Sequence, residues 1–220
     1  MKLKSGGLKV LIFTFIFLIG VLIAYNILSP DHRLRVYQPA EINPRLVDSS
    51  LQEKYSDHRI QDFRLLTQDS QMVSLKDFED KIIVADFFFT TCPSICPKMS
   101  AHLKELCNAY PEKEDLVILS HTVTPELDPP HILKAYAQEY EAPENWYFLT
   151  GDRKEIYKLA RKSYFAALDE PSTEGPDFVH TENFVLVDKE GRLRGFYDGT
   201  SSLDTERLIN DIAILSKEYE

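Results

Sequence analysis

Two thiols stand four residues apart in Cys92-Pro-Ser-Ile-Cys96-Pro97, and thiolate is the form of cysteine that both ligates soft metals and attacks disulfides. Only one further cysteine occurs in the 220 residues, Cys107, so the pair marks one local site and not a disulfide framework. The pair follows the apolar run Lys81-Ile-Ile-Val-Ala-Asp-Phe-Phe-Phe89 and precedes a helical pattern over Pro97 to Tyr110, which places both thiols at a strand-to-helix turn. Pro97 suits the first position of a helix and disfavours helical geometry at the residue before it. Cys96 is therefore expected near the N-cap, where free N–H groups and the helix dipole stabilise thiolate. Cys107 lies roughly 16 Å further along the same helix, beyond the ~7 Å Cα limit for a disulfide, and reads as a core residue.

Asp86 interrupts that apolar run. A carboxyl group buried in a strand has its pKa raised by desolvation and can exchange protons with a neighbour, so Asp86 is a candidate catalytic residue beside Cys92 and Cys96. A hydrogen-bonded structural aspartate is the plainer alternative.

Histidine is the natural third ligand for a two-cysteine site. His32 and His58 lie in or next to a linker, His131 sits at a helix N-terminus, and all three are expected in solvent. His102, six residues past Cys96, points away around the helix. His121 is a rival, near the carboxyl end of the strand after the cysteine helix. His180 is the favoured ligand, because Pro176-Asp-Phe-Val-His180-Thr181 feeds the strand Asn183 to Val187. Two thiolates and an imidazole suit Cu(I), and can hold Cu(II) with a further oxygen donor. A structural zinc site would want a fourth ligand of similar type, which no second cysteine pair supplies.

The elements that must position these residues follow from periodicity. Ile60 to Leu66 and Gln71 to Leu75 alternate around Thr67-Gln-Asp-Ser70 and read as a hairpin. Lys81 to Phe89 and Leu116 to Val123 are strands buried on both faces. Helices are expected over 130–140 and 153–163, with a short strand at 146–149 between them. A hairpin of Asn183 to Val187 and Leu193 to Tyr197 then turns at Asp188-Lys-Glu-Gly191, and a helix covers 204–217. This order gives an α/β three-layer sandwich with a mixed sheet, its site at the carboxyl ends of the parallel strands.

Composition fits a globular protein, with 44% hydrophobic and 27% charged residues and a net charge of -10. Residues 1–28 carry only Lys2, Lys4 and Lys9 as charges, leaving 22 basic against 35 acidic residues beyond them, which argues against a nucleic-acid partner. Val10 to Leu28 is an uncharged run that, as a helix, spans roughly 28 Å. It exceeds a signal-peptide core and lacks a small-x-small cleavage site. The expectation is a cytoplasmic N-terminus over 1–9, a single-pass transmembrane anchor over 10–28, a proline-containing linker over 29–58 and one domain over 59–220. Lysines before the anchor favour an N-inside orientation, in a bacterial inner membrane with the C-terminal domain in the periplasm, where disulfide chemistry is permitted.

The motifs Phe87-Phe-Phe-Thr-Thr-Cys92-Pro-Ser-Ile-Cys96-Pro97, Val179-His180-Thr181 and Leu186-Val-Asp-Lys-Glu-Gly191 resemble the SCO/SenC proteins over about Arg59 to the C-terminus, plus the anchor. The resemblance implies a thioredoxin-like fold, copper held by Cys92, Cys96 and His180, and delivery to the copper-bearing subunit of cytochrome c oxidase or to another copper or thiol protein. Asp86-Phe87 is similar in placement to the Asp-Phe-Trp of thioredoxin, where the acid serves the buried cysteine. The family's Val-Asp-Pro-Glu-Arg-Asp-Thr-Pro reads Val123-Thr-Pro-Glu-Leu-Asp-Pro-Pro130 here, with Thr124 and Leu127 as departures and Asp128 retained.

The same residues admit a second function, thiol-disulfide exchange in which Cys92 attacks, Cys96 resolves and Asp86 moves the proton. A peroxidase is a third reading, but the peroxiredoxin Pro-x-x-x-Thr-x-x-Cys box is absent.

Overall fold

In the computed structural model, residues 5–28, 33–53, 57–167 and 182–220 are described. They form two compact units, 1–33 and 34–220. Helix α1 (Ser5–Leu28) makes up the first. Among the described residues no helix is long and apolar enough to cross a membrane. The transmembrane anchor expected over 10–28 is therefore not shown.

The second unit is built on one seven-stranded sheet: β1 (Arg64–Thr67), β2 (Met72–Ser74), β3 (Ile82–Phe88), β4 (Leu116–Thr122), β5 (Trp146–Thr150), β6 (Asn183–Val187) and β7 (Leu193–Asp198). Their order is β2-β1-β5-β4-β3-β6-β7. β3, β4 and β5 run parallel, while β1 and β6 join them antiparallel. The mixed sheet, the N-terminal hairpin and the closing hairpin stand as periodicity predicts, and Gly191 supplies the positive φ of +78° that the second turn needs. Every residue of β3 and β4 is buried, as two-sided burial of a parallel pair requires.

Helices α2 (Ile95–Ala109), α3 (Pro130–Glu139) and α5 (Ser202–Lys217) cover one face, α4 (Arg153–Lys162) and the chain before β1 the other. Strand alternation divides the core accordingly. Ile82, Val84 and Phe88 pack with Met99, Leu103, Leu133 and Leu208. Ile83, Ala85 and Phe87 pack with Ile156, Leu159 and Phe63.

The segment expected as linker packs on this unit where it is described. Val47 is fully buried, and Tyr37 N donates to Leu193 O at 2.9 Å. Leu34 is clasped from both sides, its N–H donating to Glu218 Oε1 at 2.8 Å and its carbonyl accepting from Arg194 Nη2 at 2.7 Å. Arg194, 2% exposed, also reaches Asp188 at 2.9 Å and Glu218 at 2.6 Å. Burial works against its charge, but the two carboxylates raise its pKa on balance.

Candidate functional site

The site lies where β3 ends and α2 begins. The Cys92 amide donates to Phe89 O at 3.2 Å, closing a turn. Helix α2 starts at Ile95, two residues earlier than Pro97 predicts, because proline lacks only an N–H and the first four of a helix have no internal partner. The N-cap, Ser94, makes no side-chain cap bond. Instead the Cys96 amide donates to Cys92 Sγ at 3.3 Å, so the sulfur outside the helix takes the capping role.

The thiolate-stabilising environment expected at Cys96 thus falls on Cys92, the thiol expected to attack. Cys96 is inside the first turn, 1% exposed, and packs against the core. Burial drives its pKa well above the usual thiol range, and neighbouring Cys92 adds to the push. Partial burial also works against ionisation of Cys92, but the amides of Cys96, Ser94 and Ile95 and the Cys96 thiol outweigh it and hold Cys92 below its ordinary value. Of the two thiols, Cys92 has the lower pKa and the greater exposure. Iodoacetamide should accordingly modify Cys92 first in the folded, reduced protein near pH 7.5, with Cys96 reacting only after denaturation; equal labelling, read by peptide mass spectrometry, would contradict this assignment. Cys107 is buried, its thiol pushed up to about 12 by desolvation, as a core residue should be.

Asp86 is 2% exposed and points to the same face of the sheet as Cys96. Burial raises its carboxyl to about 7, against the opposing hydrogen bond from Ser120. Ser120, its register partner on β4, donates to Asp86 Oδ1 at 2.5 Å and accepts from Trp146 Nε1 at 2.8 Å. Phe88, Tyr136, Phe148 and Trp146 form an aromatic wall around this chain of bonds. Ser120 and Trp146 were not visible as site residues in the sequence. The available signal was Ser120, one of three polar residues, with His121 and Thr122, in a strand read as buried on both faces.

The histidines separate by position. His121 is fully buried but faces the other side of the sheet, stacked on Phe87 at 4.9 Å and set against Tyr164. Burial lowers its pKa to about 4, and strand alternation removes it as a ligand to the cysteines. His58, expected in solvent, is half-buried, with Nε2 2.9 Å from Ser163 O and its ring 4.6 Å from that of Phe165. His102 Nδ1 lies 2.7 Å from Gly199 O, and His131 is exposed as expected. The favoured ligand His180 and the linker residue His32 lie outside the described residues. Among the described residues no group of three or more His, Cys, Asp or Glu is placed to hold a metal ion. What they supply is the soft half of a site, two thiols at one turn, which fits a soft cation better than a hard one.

A second polar cluster supports the turn from behind. Asp128, fully buried, accepts from the Thr90 amide at 3.3 Å, from the Thr124 hydroxyl at 2.9 Å, and from the hydroxyls of Thr90 and Thr122.

Comparison with known proteins gives a consistent result. The SCO1/SenC family model matches residues 52–217. The SCO1 protein homolog of Bacillus subtilis is 36% identical over 159 residues, 70% of this chain and 81% of that protein. Among solved structures, a SCO1/SenC family lipoprotein of Bacillus anthracis is 33% identical with a TM-score of 0.64, covering 74% of this chain and 98% of its own. Bradyrhizobium japonicum ScoI, solved with copper bound, matches in fold at a TM-score of 0.58 and 24% identity over 72% of this chain and 99% of its own.

Proposed function

The chain belongs to the SCO1/SenC family, and from that premise we propose that it is a membrane-tethered copper chaperone that delivers copper to the binuclear copper centre of cytochrome c oxidase during assembly. Relatives have been solved with copper bound, and one solved at 34% identity is described as a member of a family of cytochrome c oxidase assembly proteins. The observation that carries the reading is the Cys92–Cys96 turn, where two soft donors are brought together by one hydrogen bond at a helix start. Cys92, Cys96 and His180 hold the metal, and the receiving protein takes it by exchange onto its own ligands. The uncharged run 10–28, with three lysines before it, is the single-pass anchor, placing the N-terminus in the cytoplasm and the folded unit on the periplasmic face of a bacterial inner membrane.

The test is a Cu(I) competition titration of the reduced protein in detergent. One equivalent should bind tightly, Cys92→Ser/Cys96→Ser should abolish binding, and His180→Ala should weaken it by more than the roughly 10–100-fold that loss of an outer-shell partner costs. Affinity indifferent to His180 would overturn the three-ligand site.

A second reading is favoured by one specific observation, the buried Asp86 on the face of Cys96. In that reading Cys92 attacks a partner disulfide, Cys96 resolves the mixed disulfide, and Asp86 accepts the Cys96 proton. Metal-free reduction of a protein disulfide, lost in Cys92→Ser, would support it.

A further inference from the structure

Asp128 is 38 residues away from Thr90 in sequence and shares no element with the cysteines, yet its carboxylate is spent on the turn that carries them. Oδ1 accepts from the Thr90 hydroxyl. Oδ2 accepts from the Thr90 amide and from the hydroxyls of Thr122 and Thr124. All four donors are neutral, and none of the ion pairs among the described residues involves Asp128.

The acid is itself rigidly presented. The amides of Leu127 and Asp128 both donate to Thr124 O, at 2.9 and 3.0 Å. The Thr124 amide donates to the Thr122 hydroxyl at 3.1 Å, and Pro125, Pro129 and Pro130 restrict the backbone on either side. On the other side of the contact, Thr90 lies between the last residue of β3 and Cys92. The Phe88 carbonyl is occupied by Val123 N at 2.8 Å and the Phe89 carbonyl by Cys92 N. With those two fixed, the Asp128 bonds to Thr90 add two further restraints between the sheet and the thiol.

We propose that Asp128 is a positioning residue for Cys92: by gripping Thr90 through both amide and hydroxyl, it holds the turn so that the Cys92 sulfur stays at the start of α2, next to Cys96. The inference rests on the reading that Cys92 and Cys96 are the working pair, and it concerns the geometry of the two thiols whether or not copper is their cargo.

Positioning has a signature that simple stabilisation lacks. In equilibrium with glutathione, the two thiols and one glutathione disulfide give the intramolecular Cys92–Cys96 disulfide and two glutathione thiols; two electrons and two protons pass from the pair to the glutathione sulfurs. The equilibrium constant measures how well the fold holds the sulfurs together. Asp128→Ala should shift it about tenfold towards the dithiol, which for two electrons is a potential about 30 mV less negative. Asp128→Asn should restore it to within about threefold, because an amide can place its oxygen where Oδ2 stands and its NH2 where Oδ1 stands, with the Thr90 hydroxyl rotating to accept.

The measurement uses metal-free protein in detergent, with the folded fraction followed in parallel by circular dichroism. A folded Asp128→Ala protein with an unchanged equilibrium would overturn the proposal, as would an Asn variant no better than Ala. Should Asp128→Ala fail to fold, Thr90→Val, which removes the hydroxyl and keeps the amide, should shift the equilibrium in the same direction by a smaller factor; no shift there would overturn it equally. Since no copper is present, failure of the copper titration and failure of this assignment remain separate results.

Discussion

Replacing Asp86 with asparagine should make the reduced, metal-free protein more stable than the parent at pH 8, with the difference between the two widening by about 3 kcal/mol between pH 5 and pH 8. Burial raises the folded-state carboxyl to about 7, whereas an unfolded aspartate ionises near 3.9. Between those values the unfolded chain binds fewer protons than the folded one, so stability falls as pH rises. The contribution is fully present below the unfolded pKa and lost as pH passes through the folded one. Asparagine carries no charge to desolvate and can still accept from Ser120, so it lacks this slope. Urea unfolding of both proteins at several pH values decides the matter. Parallel pH profiles would mean that Asp86 ionises as it does in an unfolded chain.

Arg194→Met should cost about 3 kcal/mol, the low end of what is lost when one member of a buried ion pair is removed. The side chain is 2% exposed and joins Asp188, which is fully buried, to Glu218 and to the Leu34 carbonyl. Methionine fills much of the volume but leaves that carbonyl without its Arg194 donor and Glu218 with only the Leu34 N–H. The loss stays at the low end because Asp188 keeps Arg192 Nε at 2.8 Å and the amides of Glu190 and Arg192, while Glu218 retains some access to water. A urea midpoint within 0.5 M of the parent would contradict this account, since a slope of about 1–3 kcal/mol per molar converts the expected loss into a shift of 1 M or more.

The strands and most helices were legible because burial leaves a periodic trace. Ile82 to Phe88 and Leu116 to Thr122 could hardly be anything but central strands, and Asp86 stood out by interrupting one of them. The cysteine pair was legible because both thiols belong to a single turn. Which sulfur the helix start stabilises was not: that depends on α2 starting before Pro97, a shift of two residues that moves Cys96 from the cap into the core and hands the exposed amides to Cys92. The partners of Asp86 were hidden for another reason. Ser120 and Trp146 meet it only through the register β3–β4–β5, 34 residues away for the first bond and 26 more for the second. The grip of Asp128 on Thr90 is equally non-local. His121 shows the limit of position along a strand, since being near the right end says nothing about which face a side chain takes. His58 looked like a linker residue because its partners, Ser163 and Phe165, lie more than a hundred positions downstream.

The clasp on Leu34 bears on the order in which the unit can be completed. Its donor and acceptor partners, Glu218 and Arg194, are 184 and 160 positions downstream. A ribosome therefore releases the first strap of the unit long before it releases what fastens it, and until α5 has been made residues 34–53 have no mate for their opening bonds. Contacts of such long range are slow to form. During synthesis the Leu34 N–H cannot find its acceptor until Glu218 has been made, although Leu34 opens the unit.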